Sequence, residues 1–140
     1  MHTPYITKLG NYADFRVSYH FLDVSEGGRE YTPNQGYRSD LYYDHEEHRN
    51  SNQIFMIWPE FEDEKGNIIL DTITPIPKIG SARMWILFPE MRSYHKNKIH
   101  VGLPCFFMEG SKSVAECLVI ELVDILINPS KPITIQGKNY

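Results

Sequence analysis

The chain has 140 residues, with 14 lysines and arginines against 18 aspartates and glutamates, a formal charge of −4. That length suits one domain whose core removes about two thirds of the unfolded chain's surface from water. The acidic balance argues against any general attraction to nucleic acid or anionic membrane, and no apolar run approaches the roughly 20 residues of a membrane-spanning helix. Cys105 and Cys117 are the only cysteines, too few for a disulfide scaffold; they read as small buried residues flanking a hairpin turn, with a redox pair as the alternative. The first 13 residues lack a cationic start followed by an apolar run, so a cytoplasmic location is expected.

Residues 1–13 carry Pro4, Gly10 and Asn11 with little periodicity, and read as a lead-in draped over the domain. A strand follows, with Phe15, Val17, Tyr19 and Phe21 on one face and Arg16, Ser18 and His20 on the other. Leu22 and Val24 then take the opposite parity, which predicts a bulge or a change of layer. Residues 25–36 form a loop in which Gly27 and Gly28 either make a plain turn or expose successive N–H groups as an anion-binding nest. Residues 37–43 return as a strand with Tyr37, Ser39, Leu41 and Tyr43 on one face.

Residues 44–52 are expected to be a solvated loop. Its His45 and His48, set among carboxylates, offer a metal or catalytic alternative, although the spacing of the two-histidine zinc protease motif is absent. The apolar run of residues 53–58 predicts a strand buried on both faces and stopped by Pro59. After it come an acidic surface turn at 60–65 and a short strand at 68–70. Pro75 and Pro77 confine residues 71–81 to an edge or to the end of a barrel. The next strand, 82–88, alternates Ala82, Met84, Ile86 and Phe88 against Arg83, Trp85 and Leu87.

The one locally basic stretch is 90–100. It reads as a solvated loop, with an RNA contact as the alternative, in which Arg92, Lys96 and Lys98 would touch phosphates and Tyr94 stack on a base. Residues 105–108 and 114–127 form a hairpin around Glu109-Gly110-Ser111-Lys112-Ser113. Its second arm sets Ala115, Cys117, Val119, Glu121 and Val123 against Leu118, Ile120 and Leu122. The organisation is then a lead-in at 1–13, an all-β domain at 14–127 and an extended tail at 128–140. No matched acid, base and nucleophile emerge, so no catalytic residue, metal or cofactor is assigned and an enzyme is not expected.

Glu26-Gly27-Gly28-Arg29, then Thr32-Pro33, then Gly36-Tyr37-Arg38 resemble the third domain of bacterial elongation factor Tu, which has a Gly-Gly-Arg loop, a Thr-Pro and a Gly-Tyr-Arg entering an aromatic strand. The stretch 102–115 is similar to that family's closing hairpin, and the resemblance spans roughly residues 14–125. It implies a closed or nearly closed six-stranded antiparallel barrel that performs no chemistry and presents binding surfaces, with Gly27, Gly28, Arg29 and Arg38 as the residues carried over. The chain departs from the pattern at Glu30, where the family has histidine, and at Ser39, where it has proline. The expected function is a stand-alone, non-enzymatic domain that binds a protein partner in a regulatory or neutralising role. The alternatives are tRNA or RNA binding through Arg29, Arg38 and the 92–98 stretch, and a metal-dependent hydrolase at His45 and His48.

Overall fold

A computed structural model describes residues 1–48, 51, 53–131, 134–135 and 138–139. The period-two pattern at the start of the domain becomes β1 (Phe15–Phe21), whose apolar set is buried and whose Arg16, Ser18 and His20 face outward. Five further strands join it: β2 (Asp40–Tyr43), β3 (Ile57–Glu62), β4 (Ile79–Ile86), β5 (Pro104–Glu109) and β6 (Lys112–Leu122). They form one antiparallel sheet in the order β2-β5-β6-β1-β4-β3, curled into an open half-barrel. Its inner face carries the main core, in which Tyr19, Phe21, Phe61 and Phe107 meet with ring centres 5.3–6.3 Å apart. Aromatic pairs at such spacings add to the stabilisation from burial alone. Across the gap, Leu41 of β2 and Phe55, just before β3, exchange two backbone hydrogen bonds of 2.9 Å.

A second, smaller core lies outside the sheet. The lead-in forms α1 (Tyr5–Leu9), ended by Gly10 in the left-handed conformation at φ 76°, and packs Tyr5 and Ala13 on Trp85 of β4. Glu60 fastens it, accepting from the Tyr5 N–H at 2.8 Å and from Trp85 Nε1 at 3.2 Å and meeting His2 Nε2 at 2.6 Å. The expected acidic surface turn is therefore corrected. The strand runs through Pro59 to Glu62, with Glu60 and Glu62 both buried. Proline is tolerated because β3 is an edge strand, where a missing ladder donor costs least.

Other expectations change as well. The 53–58 strand is reduced to the Phe55 bridge and the start of β3, and 68–70 to a single bridge from Ile68 to Glu62. The basic stretch is not a solvated loop: a 3₁₀ turn, Pro89–Met91, leads into α2 (Arg92–His95), which buries Arg92 and His95. In β6 the partners of Arg16 and Val17 are Glu121 and Val119, so Ile120 is an extra residue. This bulge reverses the side-chain parity, turning Glu121 out to solvent and Leu122 toward the core. The strand ends at Leu122, and farther on β7 (Thr134–Ile135) and β8 (Lys138–Asn139) pair as a separate two-stranded sheet. Among the described residues no helix is long and apolar enough to cross a membrane.

Candidate functional site

The glycine-arginine loop is occupied by its own architecture. Gly27, at φ 90°, donates its N–H to the Val24 carbonyl at 3.0 Å, and Gly28 donates to that of Asp23 at 2.8 Å. Neither points outward as an anion nest would require. A Cβ on Gly28 would stand 2.0 Å from the Leu22 carbonyl oxygen, so close backbone approach explains this glycine. Arg29 lies over the Tyr37 ring at 5.1 Å and donates to the Tyr31 carbonyl and to Glu109, which also accepts from the Tyr37 hydroxyl. Burial alone would raise the Glu109 carboxyl, but the bonds from Tyr37 and Arg29 outweigh it and hold the group below its ordinary range. Arg29 thus staples the loop to the β5–β6 turn.

The other basic candidates are similarly engaged. Arg92 is 3% exposed and donates from Nε to Asp14 at 2.7 Å, from Nη1 to the Pro129 carbonyl at 2.7 Å, and from Nη2 to Asp14 and the Ile86 carbonyl at 3.3 Å. Its expected role at an RNA phosphate is corrected: no face of the guanidinium is open. Lys98 sits 3.7 Å from the centre of the Tyr94 ring, bonds the Tyr94 carbonyl at 3.1 Å and lies 3.4 Å from Glu47. Lys96 is half-buried, and Arg38, 4.4 Å above the Trp58 ring, is the one exposed member of the five cations. Arg29, Arg38, Arg92 and Lys98 do not share partners but belong to four separate contact networks.

The expected solvated loop at 44–52 is exposed at Asp44, Glu46, Glu47 and Ser51, with residues 49, 50 and 52 outside the described residues, but its histidines are not both solvated: His45 is half-buried. His48 is buried, its ring edge-on to Tyr43 and Phe55 at 4.9 and 5.4 Å and stacked on His45 at 5.6 Å, and neither ring nitrogen has a hydrogen-bond partner among the described residues. Burial, with His45 and Lys98 nearby, lowers its pKa. On α2, His95 Nδ1 shares a hydrogen bond with the Tyr43 hydroxyl at 2.6 Å, and burial drives its pKa down to about 4. Both imidazoles are held neutral against aromatic rings. Among the described residues no three His, Cys, Asp or Glu side chains are grouped so as to hold a metal ion. Cys105 and Cys117 face each other directly across β5–β6 as free, buried thiols.

Two outward regions remain, and sequence reasoning singled out neither. The first crosses five strands in one register row, Tyr42, Phe106, Glu116, His20 and Ile79 on β2, β5, β6, β1 and β4. Beside it Pro104 pairs with Leu118 and Leu118 with Ser18. Leu118 is 47% exposed and Ile79 68%, and a groove of about 420 Å³ opens between them. The sequence signal was there: Leu118 and Ile120 sit on the parity opposite to the core residues Cys117 and Val119.

The second region is charged. Arg16 and Arg83 are direct partners across β1–β4, and like charges so placed repel. Glu62 clamps both, accepting from Arg16 Nη2 at 2.8 Å, Arg83 Nε at 3.0 Å and Ser81 Oγ at 2.8 Å. Burial works to raise this carboxyl, and the bonds from Arg16, Ser81 and Arg83 lower it overall. Arg16 and Glu62 form a shared wall between cavities of about 680 and 420 Å³. The sequence matches no protein-family model and no curated protein sequence.

Proposed function

We propose that this chain is a non-enzymatic binding domain that engages a protein partner through a barrel of the kind found in the third domain of elongation factor Tu, acting by occupancy in a regulatory or neutralising role. The observation that carries this reading is the row from Tyr42 to Ile79 with Leu118 beside it. It is an apolar strip on the outer face of an antiparallel sheet, with the Glu116 and His20 pair at its middle. Outer faces of such sheets are ordinarily polar, and apolar patches with polar groups among them mark interaction surfaces. The barrel reading is supported by the strand order and by the Leu41–Phe55 bridge, which spans the gap between the sheet's edges. It is also supported by the Gly27-Gly28-Arg29 loop, whose arginine ties it to the closing hairpin at Glu109.

RNA binding is the weaker reading, because Arg92 is buried and Arg29 and Lys98 are paired. The test compares wild type with Leu118→Asp, which places a charge at the centre of the strip without entering the core. Stoichiometric capture of one protein by wild type, lost in a folded Leu118→Asp variant, is the expected result. Equal capture by both overturns the assigned surface, and a salt-dependent shift of tRNA weakened by Arg38→Ala overturns the protein-partner reading.

A further inference from the structure

We infer that the smaller cavity beside the arginine pair, bounded by α1, β1, β4 and the end of β6, is a binding site for a small organic acid: a carboxylate carried on an apolar body. Its walls are Ile6, Tyr12, Ala13, Trp85 and Val123, and its polar side consists of Arg16, Arg83, Glu62 and Glu121. A volume of about 420 Å³ falls within the roughly 300–1,000 Å³ of small-molecule sites, which are mostly apolar with a few convergent polar groups.

The charge count at the polar side selects the ligand's sign. Two guanidiniums share one fully enclosed carboxylate, Glu62, whose side chain is 2% exposed and whose oxygens are taken by Arg16, Arg83 and Ser81. One positive charge is left over. It is met by Glu121, which reaches Arg16 Nη1 at 3.0 Å with a single bond and is 54% exposed. An exposed pair of this kind is worth about 0–1 kcal/mol, so an incoming carboxylate can displace it. Arg83 uses Nε for Glu62 and Nη2 for the Gly66 carbonyl, and its Nη1 donates to no protein group among the described residues. An acid in this cavity therefore finds Arg16 Nη1 and Arg83 Nη1 as donors, with the Ile6, Tyr12 and Val123 side chains around its apolar part and Trp85, only 1% exposed, as a buried reporter in the wall. Glu121 is in this site because of the Ile120 bulge; without the extra residue it would point into the core. Bulges commonly re-aim side chains next to functional sites.

Phenylacetate is the probe, and Trp58→Phe, which removes the only other indole, makes Trp85 the sole fluorescent tryptophan. Saturable change of Trp85 emission with phenylacetate and none with phenylacetamide is expected. Glu121→Gln should bind phenylacetate about two- to fivefold tighter by removing the internal competitor, and Arg83→Gln about tenfold weaker by removing a charged donor. The tightening in Glu121→Gln is informative even should Arg83→Gln fold poorly, since the altered side chain is exposed. Equal response to acid and amide, equal affinity for acetate, or no response in either wild type or Glu121→Gln overturns the proposal. Tighter binding of a phenylalanine-terminated peptide than of phenylacetate overturns the small-acid assignment in favour of a polypeptide end.

Discussion

Asp14 and Arg16 flank Phe15, and each is held by opposite charge, yet the two pairings differ in kind. Asp14 is fully buried, and its carboxylate takes two bonds from Arg92, one from the Ile86 N–H at 2.8 Å and one from Asn128 at 2.9 Å. It ties the start of β1 to β4, α2 and the chain after β6. Arg16, on the outer face, shares Glu62 with Arg83 and borrows Glu121 from solvent. The first network is closed, so it serves the fold. The second has a spare donor and a displaceable acceptor, so it is open to a ligand. What separates them is cover, not residue type: α2 and the chain after β6 close over Asp14, whereas Arg16 and Glu121 stay within reach of water.

The largest expected break in this contrast is Arg92→Ala. It strands the Asp14 carboxylate in a dry site, which should cost about 3–5 kcal/mol of stability by urea denaturation. A loss below about 1 kcal/mol would mean that water reaches Asp14 and that the two networks are alike.

Acid sharpens the contrast from the α2 side. His95 has a folded pKa of about 4 against an ordinary 6.5, and His48 is also lowered. Between those values the unfolded chain binds more protons than the folded one, so stability is complete above pH 6.5 and is lost as pH falls toward 4. For His95 the loss is of order 3 kcal/mol. The lowered carboxylates Glu62 and Glu109 begin to act only at the acid end of this window, as pH drops under their ordinary 4.5. Denaturation midpoints between pH 7 and 4.5 should therefore fall in wild type and be flatter in His95→Gln. Parallel profiles would show that His95 charges without cost.

Arg83→Gln should cost about 1 kcal/mol and lose part of that difference at high salt, because its pair with Glu62 is partly solvated. Glu121→Gln should change stability by less than about 0.5 kcal/mol. A larger loss in this last variant would make Glu121 a structural member of the network, unlike the exchangeable group described above.

Much of the sheet was legible because a half-buried strand announces itself through period two. The alternations at 15–21 and 82–86 place inner and outer residues as found, and the hairpin around Gly110 follows from its turn composition. Pro59 misled, since local rules end a strand at proline and cannot see that β3 is an edge. Arg92 misled for a related reason: a basic stretch looks solvated until Asp14, 78 residues away, is brought beside it. His48 was read as wet because polar neighbours in sequence surround it, whereas its neighbours in space are Tyr43 and Phe55. The parity of Leu118 and Ile120 hinted at the first outward region, but neither region was legible as a surface, since each is assembled from single residues on three or more strands.

The order of side chains along the chain was enough to specify the inward faces of β1 and β4 and the turn between β5 and β6, because those depend on steric rules acting over a few residues. Which charges are buried, which histidines are dry, and that Glu121 faces Arg16 were decided only in the folded molecule. Each of these depends on strand register, on a one-residue bulge, or on contacts that close loops of tens of residues, and such terms have no local signature.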